Sequence, residues 1–441
     1  MLTPPEIQSA RVNPTSWTNQ NSRFLAEIPT NVRFSASKNP ADLRKSPSII
    51  CISARKINIF SSSAAFAQDV IKVGAVAPKT GPLAGGSEVS YWPNVHLWVS
   101  DVNGRGGLNV DGKKMMLELI EYDDQTNPAE TIKAVQRLVD QDGAQIVLPP
   151  YSTGLNLAAA PIYARYGLPM VTSTTTTDQA AELSKKFPNV FITLGGAKPI
   201  AQGAVDVLTK MRDAGDLGNK IAMVNVADAF GIELAETAKP AFLAAGFEIV
   251  YESSYPLGTQ DLSPVMRGAK AAKPDAFVAW SYPPDTFALT QLAQVEDLQV
   301  GAFFTAVATA FPAYGDLFGA SVEGVLGVGG VDANSSVFQE YASRHLAVTG
   351  AKPDYWASAP VYASFQVLEK SIEAVGLDNA KIIDHIKNTS FDTVMGVLDY
   401  DDANNNPSFW TVGQWQGGVF KGVASTGREG AVPAIKKGAW K

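Results

Sequence analysis

At 441 residues the chain is longer than one ordinary domain and is sized for two lobes with extras. Its 46% apolar and 18% charged residues are those of an ordinary globular protein. A net charge of -7 without a dense Lys/Arg tract excludes a polyanion-binding surface, so no nucleic-acid partner is expected. No apolar run approaches the roughly 20 residues that a membrane-spanning helix needs.

Residues 1–68 differ from the rest, being rich in Ser, Asn and Pro with no sustained period of 2 or 3.6, and read as disordered. They end in Ala65-Phe66-Ala67, which has the small-x-small form of an export cleavage site, with Arg55-Lys56 upstream. The stretch between, residues 57–64, is too short and too polar for a good apolar region. Two readings stand: a degraded or wrongly translated export leader, or a native extension in which the triplet is chance. The folded pattern starts directly after the triplet, which favours the first.

From Val70 onward strands and helices alternate. Strands are expected over 71–77, 115–122, 145–148 and 169–171, with helices over 93–103, 128–141 and 155–166. A second series follows: strands over 221–225, 248–255 and 276–280, and helices over 232–245, 262–272 and 285–296. Strands near 302–306 and 325–331 precede helices over 336–349 and 356–374. The second of those helices has Val361, Phe365, Leu368 and Ile372 at helical spacing, a core face. Residues 409–423 read as an antiparallel pair turning at Gln416-Gly417-Gly418. Such alternation implies an α/β fold of two doubly wound parallel-sheet lobes.

The catalytic vocabulary is missing. There is one cysteine, Cys51, in the odd N-terminal segment, so the folded part has no thiol nucleophile, disulfide or cysteine metal site. His96, His345 and His385 match no metal-binding spacing and read as surface or helix-face histidines. No G-x-S-x-G elbow, P-loop or G-x-G-x-x-G follows the first strand. An enzyme, a metal and a cofactor are therefore not expected.

In open α/β sheets, ligands collect at the carboxyl ends of strands beside helix N-termini. Two such ends carry hydroxyls: Pro149-Pro150-Tyr151-Ser152-Thr153-Gly154, and the run from Thr172 to Asp178 that contains Thr174, Thr175 and Thr176. Taken alone they read equally as an anion cradle or as loops and helix caps.

The opening segments carry a resemblance. IKVGAVAPKTGP at 71–82, DVNGRGGL at 101–108 and LELIEYDDQTNP at 117–128 resemble the start of the branched-chain amino-acid binding proteins. These are the type I periplasmic binding proteins that feed importers driven by ATP hydrolysis. The resemblance implies two lobes joined by a three-segment hinge, crossed near 193–196, 325–331 and 396–400. Lobe 1 would comprise 69–194 and 331–396, and lobe 2 195–330 and 397–441. It also implies a monomer, a small-molecule ligand (an amino acid, an amide or an aromatic acid), the transmembrane permease subunits as partners and, if residues 1–68 are a spoiled leader, a periplasmic location. A cytoplasmic amide or amino-acid sensor of the same fold is the alternative.

For the site, the resemblance assigns the ligand carboxylate to Thr153 with adjacent Ser152, to Thr174 or Thr175, and to Thr176. It assigns aromatic contacts to Phe230 and Tyr282, while Trp280 reads as core and Phe230 reads equally as a plug of the hinge. Two departures stand out. The acid that pairs the ligand ammonium in relatives is replaced at about Val307, leaving Asp228 or Asp285 as substitutes. The aromatic of the first loop is replaced by Gly85-Gly86, with Trp92 placed to refill the space. Both changes point to a roomier, more apolar pocket for an acid or amide with an apolar or aromatic body.

Overall fold

The computed structural model describes residues 70–407 and 409–440. The expected leader and its triplet lie outside the described residues. The chain begins β1 (Val70–Ala77), α1 (Ala84–Ser90), α2 (Trp92–Gly104), β2 (Leu108–Val110), β3 (Lys113–Asp123) and α3 (Pro128–Asp140). It continues β4 (Ile146–Leu148), α4 (Thr153–Tyr166), β5 (Met170–Thr172), α5 (Ala180–Lys186), β6 (Val190–Ile192) and α6 (Ala197–Asp213). Next come β7 (Lys220–Val226), α7 (Ala229–Ala244), β8 (Glu248–Tyr255), α8 (Ser263–Ala271), β9 (Ala276–Trp280) and α9 (Pro283–Val295). The chain then runs through β10 (Ala302–Thr305), α10 (Pro312–Phe318), β11 (Leu326–Val328), α11 (Ser336–Thr349), α12 (Ser358–Val375) and α13 (Asn379–Lys387). Four strands close it: β12 (Phe391–Thr393), β13 (Gly396–Leu398), β14 (Phe409–Gln416) and β15 (Val419–Thr426).

Two main sheets result. The first has order β2-β3-β1-β4, parallel except at the β2 edge, and β5 and β6 form a separate parallel pair. The second has order β15-β14-β11-β10-β9-β7-β8, parallel from β11 to β8 and closed by the β14–β15 hairpin. Helices cover both faces of β1. Ile71, Val73 and Ala75 join the large core that continues into the second sheet, whereas Val76 packs with Leu138 of α3 and Tyr163 of α4. Burial on both faces is why β1 reads as a near-continuous apolar run.

Several boundaries depart from the sequence reading. The strand expected to reach Val331 stops at Val328, because Gly329 and Gly330 take φ of 132° and 90°, outside strand geometry. The helix expected from Trp356 starts at Ser358, because Asp354 captures the N–H groups of Trp356 (2.7 Å) and Ala357 (2.6 Å) before the first helical turn. The final hairpin turns at Gly417-Gly418, both at positive φ, and its second strand runs on to Thr426. His345 is fully buried on α11 rather than at the surface; burial lowers its pKa and its Nδ1 lies 2.8 Å from the Ala351 carbonyl. Among the described residues no helix is long and apolar enough to cross a membrane, and no group of His, Cys, Asp and Glu is arranged to hold a metal ion.

Candidate functional site

The loops at the carboxyl ends of β4 and β5 are stitched together by their hydroxyls. Ser152 sits at φ 80°, ψ 156°, a backbone region that side chains rarely occupy. Three bonds hold it there: its N–H donates to Thr174 Oγ1 (2.9 Å), its Oγ caps α4 by accepting from Leu155 N (3.4 Å), and its carbonyl accepts from Asn156 Nδ2 (2.7 Å). Thr153 Oγ1 accepts from Thr176 N (3.1 Å) and donates to the Thr176 carbonyl (3.3 Å). The buried hydroxyls of Ser173, Thr175 and Thr176 find no partner in the protein. Strain and unpaired buried donors beside a helix N-terminus mark a place built to meet a ligand.

The opposing wall grows from the ends of β7 and β9. Asp228 caps α7 by accepting from Gly231 N (2.9 Å), and it also accepts from the Tyr282 hydroxyl (3.0 Å). Tyr282 N donates to Asp285 (3.2 Å), which closes a capping box at the start of α9. The rings of Phe230 and Tyr282 lie 5.1 Å apart, tilted by 31°. Gly231 is needed here, since a Cβ would collide with the Val226 carbonyl.

Between these walls lies a narrow cavity of about 10 Å³. That is room for about one water, so a ligand is admitted only by the walls moving apart. Tyr151, Ser152, Thr174 and Leu194 line one part of it. Phe230, Tyr282 and Val307 line another, and Trp356 and Ala357 enter from the segment before α12. None of these side chains is charged.

Of the residues singled out from sequence, Ser152, Thr174, Phe230 and Tyr282 therefore come together around one cavity. Thr153, Thr175 and Thr176 stand behind them in the same pair of loops. Trp92 is elsewhere: its Nε1 donates to the Pro78 carbonyl (3.3 Å), Lys79 Nζ lies 4.5 Å from its ring, and it stacks on His96. The space left by Gly86 is taken instead by Tyr151, whose hydroxyl occupies the place a Cβ at position 86 would need. Tyr151, Leu194, Trp356 and Ala357 escaped the sequence reading. For Tyr151 the signal was present, because it directly precedes Ser152 at a strand end.

The electrostatics follow from burial. Burial raises the pKa of Asp228 and pushes Asp285 up to about 6. Burial and then the Asp228 charge push the Tyr282 hydroxyl well above its ordinary value, so it stays a neutral donor. Both acids are spent on helix caps and on Tyr282. Because the folded pKa of Asp285 lies above its unfolded value, the native state binds the extra proton between the two. Stability is thus higher near pH 4 and falls as the pH rises to 6. Asp124, also pushed to about 6 by burial, acts the same way. Asp285→Asn is expected to flatten this decline, one of the contributing groups being removed. Melting temperatures between pH 4 and 7 check it, and an unchanged slope would contradict the assignment.

Thr174→Val removes the acceptor that holds Ser152 in its strained conformation. The expected loss of ligand affinity is about tenfold, the worth of one buried hydrogen bond, with the melting temperature lowered by only a few degrees. Titration calorimetry reads both the ligand loss and, through its stoichiometry, the folded fraction.

The profile of the periplasmic binding protein family matches residues 70–418. The chain belongs to that family. A Leu/Ile/Val-binding protein of Rhizobium johnstonii is 29% identical over 314 residues, covering 69% of this chain and 80% of the relative. The branched-chain amino acid transporter substrate-binding protein LivJ of Streptococcus pneumoniae, solved with isoleucine, superimposes with a TM-score of 0.70 at 18% identity. That match covers 81% of this chain and 99% of LivJ. A solute-binding protein of an ABC transporter from R. palustris, solved with benzoate, gives a TM-score of 0.69 at 20% identity, covering 83% of this chain and 99% of the other. The fold is that of a type I periplasmic binding protein, and the curated relatives it resembles are of the branched-chain amino-acid type. Its family and its curated relatives are binding proteins, and the chain is a solute-binding protein rather than an enzyme.

Proposed function

We propose that this periplasmic binding protein takes a small carboxylate with an apolar or aromatic body and no ammonium group, and delivers it unaltered to a membrane permease. The observation that carries the reading is the cavity lining without a charged side chain, Val307 included, which stands at about the place the resemblance gives to an ammonium-pairing acid. An ammonium buried there without a partner costs several kcal/mol. A carboxylate meets hydroxyl donors and the N-terminal end of the 14-residue helix α4, both favourable to negative charge. Phe230 and Tyr282 supply apolar faces for the body of the ligand.

Mechanically the two sheets act as the cores of two lobes, residues 69–194 with 331–396 and residues 195–330 with 397–441. The lobes close over the ligand and expel water. Ligand shifts the population towards the closed form by its greater affinity for that form. The closed surface is the one the permease subunits read, and the protein works after export to the periplasm. A thermal-shift panel of aromatic acids, amides and α-amino acids tests this, because a ligand that binds only the native state raises its melting temperature. The aromatic acids should shift the transition; a shift confined to leucine, isoleucine and valine would overturn the reading.

A further inference from the structure

Trp356 lines the cavity, is 4% exposed, and its indole Nε1 is buried with no acceptor in the protein. An indole N–H can only donate, and a buried donor left unpaired is a cost that native proteins rarely carry without a use. The residue is also firmly placed. Asp354, fully buried, accepts from Trp356 N and Ala357 N through Oδ1 and from Ser358 N (3.0 Å) and Ser90 Oγ (2.8 Å) through Oδ2. On the other side the backbone of Gly329 approaches so closely that a Cβ there would lie 2.9 Å from that of Trp356.

Trp356 also stands apart in origin from the hydroxyl cradle. Ser152 and Thr174 come from the loops after β4 and β5 and can satisfy a carboxylate themselves. The indole enters from the segment before α12, next to Ala357, and nothing else in the lining uses it.

We propose that Trp356 donates its indole N–H to a second oxygen acceptor on the ligand, distinct from the carboxylate. The preferred ligands are then acids whose aromatic or apolar body carries a hydroxyl, ether or keto oxygen. Trp356 is the specificity-determining residue that reads it. A site built around such a donor rejects analogues that lack the acceptor, because binding them leaves the N–H buried and unpaired.

This inference rests on the carboxylate reading above, and the test separates the two. Calorimetric titrations of the full chain compare 3- and 4-hydroxybenzoate with 3- and 4-methylbenzoate, which match them in size but offer no acceptor. The native protein is expected to bind one hydroxybenzoate at least about tenfold more tightly than its methyl counterpart. Trp356→Phe, which keeps an aromatic ring and loses the N–H, is expected to erase that preference while holding the methylbenzoates within about threefold. No preference in the native protein overturns the proposal, and that comparison does not depend on the variant folding. A preference that survives in Trp356→Phe, or an equal weakening of every acid, also overturns it. If none of the four acids binds while leucine does, the carboxylate reading itself has failed.

Discussion

Val307→Glu is expected to exchange the class of ligand the cleft accepts. Val307 lines the cavity at 1% exposure, and its N–H donates to the Ser281 carbonyl (3.0 Å), which fixes the residue at the end of β10. A glutamate there places a second carboxylate beside a bound one, and like charges at such range oppose each other strongly. Affinity for aromatic acids should fall by about 100-fold or more, equivalent to roughly 3 kcal/mol. The new acid also supplies the partner that an α-ammonium lacks, so leucine or valine should begin to bind. Val307→Gln, of nearly the same size but uncharged, separates charge from overpacking, whose own cost is about 1–3 kcal/mol. Calorimetry on both variants decides the matter. Equal behaviour of Glu and Gln would show that charge at this position does not select the ligand.

The second large effect is expected at Glu233, which does not line the cavity. Its Oε1 accepts from Thr177 Oγ1 (2.9 Å) and from Asp178 N (2.6 Å), tying the loop after β5 to helix α7. Burial raises the pKa of Glu233, and Thr237 Oγ1 adds a longer bond to Asp178 (3.4 Å). In the clamp account these bonds exist only in the closed form. Hydrogen bonds to a charged group are worth about 1.5–3 kcal/mol each. Glu233→Ala should therefore weaken ligand binding by about 10- to 100-fold, mostly through faster dissociation, without changing the order of preference among ligands. Stopped-flow tryptophan fluorescence measures the dissociation rate directly. A native rate in the variant would mean that the contact does not serve closure.

How much of this was legible in sequence depended on whether the signal was local. The unit β1-α2-β3 was legible because β-branched runs, Gly81-Pro82 and Gly106-Gly107 punctuate it within a few residues. The 17-residue helix α6 was not, because Pro199 and the small residues Ala197, Ala201, Gly203 and Ala204 blur its pattern where a crossing between lobes was expected. Pro199 is tolerated because it falls in the first turn, where N–H groups have no helical partner. α13, with only two buried residues, Ile382 and Ile386, gave too short a stripe to stand out.

The site was partly legible for the same reason. Strand ends rich in hydroxyls gave the right loops, but only backbone geometry separates Ser152 and Thr174, which line the cavity, from Thr153, Thr175 and Thr176 behind them. That geometry turns on Ser152's positive φ, which no local pattern announces. Trp356 was concealed by a plausible helix start. The capping by Asp354 that delays the helix start by two residues is also what frees the indole for the cavity. Trp92 was assigned by proximity in sequence to the Gly85-Gly86 gap, whereas Tyr151 fills that gap from another strand end.

The most direct test of the central claim, a cleft that holds a carboxylate without an ammonium partner, is isothermal titration of the full chain with benzoate and, separately, with leucine. Saturable one-site binding of benzoate is expected, with no measurable heat of binding for leucine. Saturable binding of leucine with none for benzoate would contradict it.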